Sequence, residues 1–240
     1  MFELKECETI IQKALQESRS SLLITESQQI CKLHHIPTPV SYMVQSLDEA
    51  IMQGNAIGFP VVLKIISPQI VHKSDVGGVV LGIADNASLK TAYPKLLAQV
   101  REKEPNAEVL GILIEKMMPP STELIVGGIR DSQFGPSIMF GMGGIFTEVY
   151  KDVAFRVAPI DKIDALNLVH ELRGSRILEG IRGQPPADID AIVNLLMDVS
   201  SIMTQHSAIS QLDLNPVIAY PSGVCAVDTR IVLAKKEGGM

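Results

Sequence analysis

Between about Phe2 and Ser18, apolar residues recur among charged ones at helical spacing, predicting an amphipathic helix that packs on the body of the protein or on a partner. A second helix is expected from Thr25, where Thr25-x-x-Gln28 has the spacing of a capping box, through Ile30 and Leu33 to just before Pro37-Thr-Pro39. Ser46-x-x-Glu49 opens a third, which stops near Gly54 and Gly58. The run Pro60-Val-Val-Leu-Lys-Ile-Ile66 predicts a buried strand, with Val79-Val-Leu-Gly-Ile-Ala84 as its returning partner. A helix over about 87–103 and a strand over 109–114 follow. Two prolines in Glu115-Lys-Met-Met-Pro-Pro-Ser-Thr122 then interrupt the pattern, as a hinge would.

Beyond the hinge, strands are expected over 123–129, 136–140 and 152–157, and helices over 161–172 and 188–205. The chain closes with strands over 209–219 and 224–233, joined at Tyr220-Pro-Ser-Gly223. Helices and hairpins alternate irregularly, which predicts an α+β chain of two lobes and not a doubly wound sheet. The expected division is an N-terminal helix (1–22), a first lobe (23–115), a second lobe (116–235) and a short tail (236–240).

Composition narrows the class. With 240 residues, 46% hydrophobic and 20% charged, the chain matches an ordinary soluble globular protein. Its net charge of −6 argues against a dedicated nucleic-acid surface, yet leaves room for a nucleotide held by a few local cations and a metal. The N-terminus lacks the apolar core of a signal peptide and no run is long enough to span a bilayer, so a cytoplasmic setting is expected. Cys7, Cys31 and Cys225 are widely separated, and the five histidines do not cluster at zinc-ligand spacing. Neither a disulfide framework nor a zinc site is expected.

The chemistry-bearing residues fall in four places. Lys64 interrupts the apolar strand, where a buried ammonium needs a partner or a phosphate. His72 follows in the connection Ser67-Pro-Gln-Ile-Val-His-Lys-Ser-Asp-Val-Gly-Gly78; a neutral imidazole near pH 7 is a nucleophile, and a phosphoryl group on nitrogen stays activated for onward transfer. Gly141-Met-Gly-Gly144 is a glycine-rich turn after a strand, but neither GxGxxG nor a Walker A sequence. In Asp213-Leu-Asn215-Pro216, alternation points Asp213 and Asn215 to one face, and Asp228 on the following strand can approach them; hard oxygen ligands so placed suit Mg²⁺. Glu115 and Glu123 bracket the hinge, where carboxylates can accept hydrogen bonds from adenosine. Arg130, Arg156 and Arg176 are candidate phosphate contacts. Met117-Met118 has the chemistry of core filling.

Taken in order, these segments resemble the ATP-grasp subunit of ADP-forming acyl-CoA synthetases, related to the succinyl-CoA synthetase beta subunit. The resemblance runs from about Leu23 to Leu233. It is carried by Gly58-Phe-Pro-Val-Val-Leu-Lys64, the Ser67–Gly78 segment, Glu123-Leu-Ile-Val-Gly-Gly-Ile-Arg-Asp131, Gln133-Phe-Gly-Pro136, Phe140-Gly-Met-Gly-Gly144, Lys151-Asp-Val-Ala-Phe-Arg156, Arg182-Gly183 and Leu212-Asp-Leu-Asn-Pro216. It implies an ATP-grasp fold of two α+β lobes with a nucleotide between them, and an acid–thiol ligase that interconverts acyl-CoA, ADP and phosphate with acid, CoA and ATP. His72 matches the histidine that receives a phosphoryl group beside ADP. Lys64 matches the phosphate-binding lysine, and Glu115, Met117, Glu123 and Arg156 fall at nucleotide-contact positions. Asn215 and Asp228 match the magnesium ligands, with Asp213 a weaker member. Gln28 stands where the family usually shows an acid. No CoA-binding module is found, so the resemblance implies a hetero-oligomer, of the α2β2 kind, with a CoA-binding alpha subunit. Two other readings compete: a stand-alone ATP-grasp carboxylate–amine ligase, and a non-catalytic nucleotide-sensing subunit.

Overall fold

The structure is a computed structural model that describes residues 2–144, 151–181, 183 and 185–234. In chain order it opens with α1 (Phe2–Gln16) and α2 (Ile24–Leu33). Then come β1 (Ser41–Val44), α3 (Leu47–Ile57), β2 (Val61–Ile66), β3 (Val79–Ile83), α4 (Asn86–Lys103) and β4 (Gly111–Lys116). The remainder is β5 (Thr122–Asp131), β6 (Gly135–Met142), β7 (Val153–Val157), α5 (Lys162–Glu171), α6 (Ile189–Gln205), β8 (Ile209–Ala219), β9 (Val224–Ala226) and β10 (Thr229–Leu233). A 3-10 helix spans Ser175–Glu179. The expected Arg182 lies outside the described residues, as does the tail.

Two units separate: Pro39–Pro119, and Met1–Thr38 together with Pro120–Met240. The smaller unit is a four-stranded antiparallel sheet in the order β1-β4-β2-β3. Val61, Leu63 and Ile65 of β2, with Ile112 and Ile114 of β4, form a hydrocarbon face against Leu89, Tyr93 and Leu96 of α4 and Ala50 of α3. β2 is buried at every position, which explains why it shows a continuous apolar run without alternation. The short β1 was not expected. Its SYMV stretch is too brief to carry a period, and pairing with β4 creates it.

In the larger unit, β10-β8-β5-β6-β7 form an antiparallel sheet, with β9 pairing to β8. One face carries Leu124, Val126, Ile138, Phe140, Leu212 and Leu214, covered by Leu168 of α5 and by Val193, Leu196, Val199 and Met203 of α6. The expected division of the chain differs here. Ile30, Cys31 and Ile36 are buried in this core, so residues 23–38 belong with the larger unit and not with the 39–115 lobe. The capping of α2 differs too: Glu26, not Gln28, reaches back to accept from the Leu23 backbone N–H at 2.8 Å, while Arg19 grips the same carboxylate with two contacts of 2.7 and 2.8 Å. Thr25 therefore sits inside the helix. The expected strand over 224–233 is two strands broken by a bend at Val227-Asp228.

Arg130 lies on the helix-covered face of β5, not on its open face. Its guanidinium turns to the end of α6, donating to the carbonyls of Met203 (2.6 Å), His206 (3.2 Å) and Ile209 (3.2 Å). The last carbonyls of a helix have no intrahelical donor, and a cation there also answers the helix dipole. Arg176, on the 3-10 helix, is exposed. At the end of α6 that Arg130 holds, burial and then the neighbouring His206 push the His34 imidazole down to about 4, while burial pushes the Cys7 thiol up to about 11.

Arg130→Ala removes the charged donor from three carbonyls and should lower stability by about 1.5–3 kcal/mol, read from urea denaturation. Arg130→Lys should recover only part of it, because one ammonium cannot span all three acceptors.

Candidate active site

In the smaller unit, β2 and β4 pair so that Lys64 faces Leu113 and Val62 faces Glu115. Lys64 and Glu115 are thus diagonal neighbours on the sheet face opposite the helices. Their head groups meet at 2.8 Å, with side chains 5% and 0% exposed. Neither role is independent of the other: the lysine that interrupts the apolar run has its carboxylate across the ladder. Just beyond β4, Met117 donates its backbone N–H to the Pro60 carbonyl at 3.1 Å, which holds the start of the hinge segment to the head of β2.

His72 is exposed on the connection from β2 to β3. The connection is pinned on both sides of it. Before it, Ile70 is buried in the helix-side core. After it, Gly78 donates to the Lys73 carbonyl at 2.7 Å and accepts from Ile65 at 2.8 Å. A Cβ on Gly78 would lie 2.6 Å from Ile65 Cγ2 and 2.9 Å from the Lys73 carbonyl, so no other residue fits without moving the turn. Lys103 of α4 ties the same turn by donating to the Asp75 carbonyl at 2.9 Å. An exposed imidazole on a braced turn can meet a reacting group with little loss of chain entropy.

In the larger unit, the sheet face away from the helices carries the other candidates. Asp213 sits opposite Gly127 on one side and Arg230 on the other, so all three positions face the same way. They line an open depression of about 430 Å³ with Met139 and Phe155. Asn215 is exposed two residues further along β8, at an irregularity where pairing shifts between Leu124↔Val217 and Val126↔Leu214. Pro216, having no N–H to give a ladder, fits such a position. Asp228 lies in the bend between β9 and β10, and its carbonyl accepts from the Asn215 N–H at 3.3 Å. Of the three oxygen-bearing residues expected to hold a metal, Asp213 and Asn215 thus lie along β8 in the interior of the sheet, and Asp228 is joined to Asn215 through its backbone, on a bend and not on a strand. Two carboxylates and an amide oxygen form a donor set suited to Mg²⁺.

Glu123, on the same sheet face, is exposed at the start of β5. Its carbonyl accepts from Gly143 at 2.8 Å, and a Cβ on Gly143 would come within 2.8–2.9 Å of the Glu123 backbone and Cβ. The glycine-rich turn is thus packed against Glu123; its residues after Gly144 lie outside the described residues. Arg156 departs from the group. It shares the helix-side face with Ala154, opposite Ile138, and pairs with Glu171 of α5 at 2.6 Å. Arg230 was missed by sequence reasoning. Its Nε is buried without a hydrogen-bond partner among the described residues, on the open face beside Asp213. The alternation Thr229-Arg-Ile-Val-Leu233, with Thr229, Ile231 and Leu233 buried, was the available signal.

Two sheets, each with helices on one face and polar chemistry on the other, together with an exposed histidine turn, define a class. The family profile described as the ATP-grasp domain matches residues 13–233. The beta subunit of acetate–CoA ligase [ADP-forming] I from Pyrococcus furiosus is 43% identical, over 93% of this chain and 96% of its own length. Acetate–CoA ligase [ADP-forming] I from Archaeoglobus fulgidus is 44% identical over 98% of this chain, which spans 34% of that longer protein. The dinucleotide forming acetyl-coenzyme A synthetase 1 of Ca. Korarchaeum cryptofilum, solved with coenzyme A, Ca-AMPCP and HgCl+, superposes with a TM-score of 0.92 at 44% identity, covering 94% of this chain and 99% of that one. The same protein with coenzyme A and Mg-AMPPCP, its phosphohistidine segment pointing towards the nucleotide binding site, superposes with a TM-score of 0.83 at 40% identity, covering 95% of this chain and 100% of that one. This chain belongs to the ATP-grasp family and, within it, to the beta subunits of ADP-forming acyl-CoA ligases. Among its described residues, no helix is long and apolar enough to cross a membrane.

Glu115→Ala leaves the Lys64 ammonium buried without its carboxylate and should cost about 3–5 kcal/mol in chemical denaturation. The double variant Lys64→Met/Glu115→Met should regain most of that stability, because neither charge is then stranded.

Proposed function

We propose that this chain is the nucleotide-binding subunit of an ADP-forming acyl-CoA synthetase. With a CoA-binding companion subunit it interconverts acyl-CoA, ADP and phosphate with a free acid, CoA and ATP. The observation that carries this reading is the exposed His72 on a braced turn, in a chain whose Korarchaeum relative has a phosphohistidine segment directed at a nucleotide site. The companion is supported by the relatives: one is a separate beta subunit of matching length, the other a fused chain about three times as long.

A phosphoryl group carried on a ring nitrogen of His72 passes to the terminal phosphate oxygen of ADP. The N–P bond breaks, its electron pair returns to the imidazole, and a P–O bond completes ATP. Reversal loads the histidine from ATP. Such transfers depend on positioning and on charge neutralisation more than on covalent help from the protein. Lys64 supplies a fixed cation to the nucleotide phosphates, oriented by Glu115. Met117 and Glu123 contact the adenosine, while Glu115, enclosed beside Lys64, acts through the lysine. Asn215 and Asp228, with Asp213, would hold Mg²⁺, which would neutralise phosphate charge. Arg156 is left out of the set because it pairs with Glu171 on the covered face.

Incubation with Mg-ATP labelled in its γ-phosphate should place acid-labile phosphate on the chain. His72→Asn should remove that label and abolish ATP synthesis from acyl-CoA, phosphate and ADP when the companion subunit is added, with the fold intact by circular dichroism. Label that persists in His72→Asn rules out the relay, and ligase activity without any companion points to a stand-alone enzyme. Asn215→Ala should raise the Mg²⁺ concentration needed for half-maximal labelling by about tenfold or more.

A further inference from the structure

Three residues that no nucleotide chemistry uses converge among the helices of the larger unit. Cys7 lies on the inner face of α1 with Ile11 and Ala14. His34 closes α2 and His206 closes α6. The Cys7 sulfur and one ring nitrogen of each histidine all lie within 4.8 Å of one another. The two imidazoles approach through Nε2 at 3.1 Å, with their rings at 85°. Cys7 is fully buried, His206 is 3% exposed and His34 is half-buried.

The separation of the two nitrogens is close to a metal's coordination edge. Zn–N bonds of about 2.0–2.1 Å at tetrahedral angles hold two nitrogens about 3.3 Å apart. We propose that Cys7, His34 and His206 bind one zinc-class divalent cation, through the thiolate and the two Nε2 atoms, with a water in the fourth position. On binding, the Cys7 proton leaves to solvent and both imidazoles bind neutral, so the site accepts one divalent ion and releases one proton. Thiolate and imidazole together favour zinc over magnesium or calcium, which take oxygen ligands. Arg130 is a positioning residue for the site, since it donates to the carbonyls of Met203 and His206 and so holds the end of α6 that carries the ligand. The spacing 7…34…206 is invisible to a motif search, which is why the linear sequence predicts no zinc site.

The role is structural: the ion ties the first helix of the chain to α2 and to the end of α6. It is independent of the phosphohistidine reading, because the cluster lies among helices and not on the open face that bears Asp213 and Asn215.

The test uses the full chain, stripped of metal by a chelator and dialysed. With Mg²⁺ in excess to occupy the oxygen-ligand site, titration with Co²⁺ should saturate its thiolate-to-cobalt signal at one equivalent. It should give a thiolate-to-cobalt charge-transfer band in the near ultraviolet and the intense visible bands of a tetrahedral ion, both erased by Zn²⁺. Zn²⁺ should also raise the Tm of the stripped chain. Cys7→Ser should abolish the near-ultraviolet band. His34→Gln, at the half-buried position, should weaken Co²⁺ binding by more than the roughly 10–100-fold typical of outer-sphere changes. Cys31→Ser, which alters a buried thiol on the adjacent helix outside the set, should keep the band. A silent titration of the folded wild-type chain would mean that the imidazoles merely hydrogen-bond to one another, and would overturn the proposal. So would a band that survives Cys7→Ser, or one lost only in Cys31→Ser. If Cys7→Ser does not fold, His34→Gln decides alone: unchanged Co²⁺ affinity in that variant refutes the site.

Discussion

The contact between Lys64 and Glu115 constrains the smaller unit more than any other. An ammonium in the middle of a fully buried strand is tolerable only with a carboxylate at contact distance, and β4 supplies it at 2.8 Å. The pair need not add net stability, since two desolvated charges roughly offset their attraction. What it does is lock register. A slip of β2 by one residue would turn Lys64 into the hydrocarbon face against α3 and α4 and strand both charges at once. Because the histidine turn hangs between β2 and β3, the same registration sets where His72 stands.

The larger unit meets the opposite requirement. Its sheet is covered by helices on one side, and the other side keeps Asp213, Asn215, Glu123 and Arg230 in reach of solvent and ligands. Arginine placement follows this division. Arg130 and Arg156 lie on the covered side, and each finds fixed acceptors there: helix-end carbonyls for one, Glu171 for the other. Arg230 lies on the open side next to a carboxylate. Residue type alone did not separate these three arginines. Strand parity does, once the register is known.

Much of the architecture could be read from the chain because its signals are local. The helical period over 188–205, the Ser46 cap with its Glu49 partner and the buried run at 61–66 all correspond to observed elements. The signals that failed were non-local. β1 exists because β4 offers it a partner. Residues 23–38 join the larger core through Ile30, Cys31 and Ile36, although the hinge prolines suggested a cut at the other end of the lobe. For the site, alternation correctly put Asp213 and Asn215 on one face, whereas the Lys64–Glu115 contact and the Cys7–His34–His206 cluster depend on pairing and packing that no linear spacing encodes.

The braced turn also acts as a tether of known length. Ile70 is seated in the core two residues before His72, and a trans chain spans at most about 3.3–3.6 Å per residue. While Ile70 stays seated, the His72 backbone therefore moves within a sphere of about 7 Å radius. Any longer excursion must first pull the Ile70 side chain out of the core, at roughly 1.5–3 kcal/mol. That is a few units of thermal energy: enough to make the short-range position the resting one, and little enough for a docked partner to repay. The seat of one isoleucine thus sets the throw of the histidine beside it.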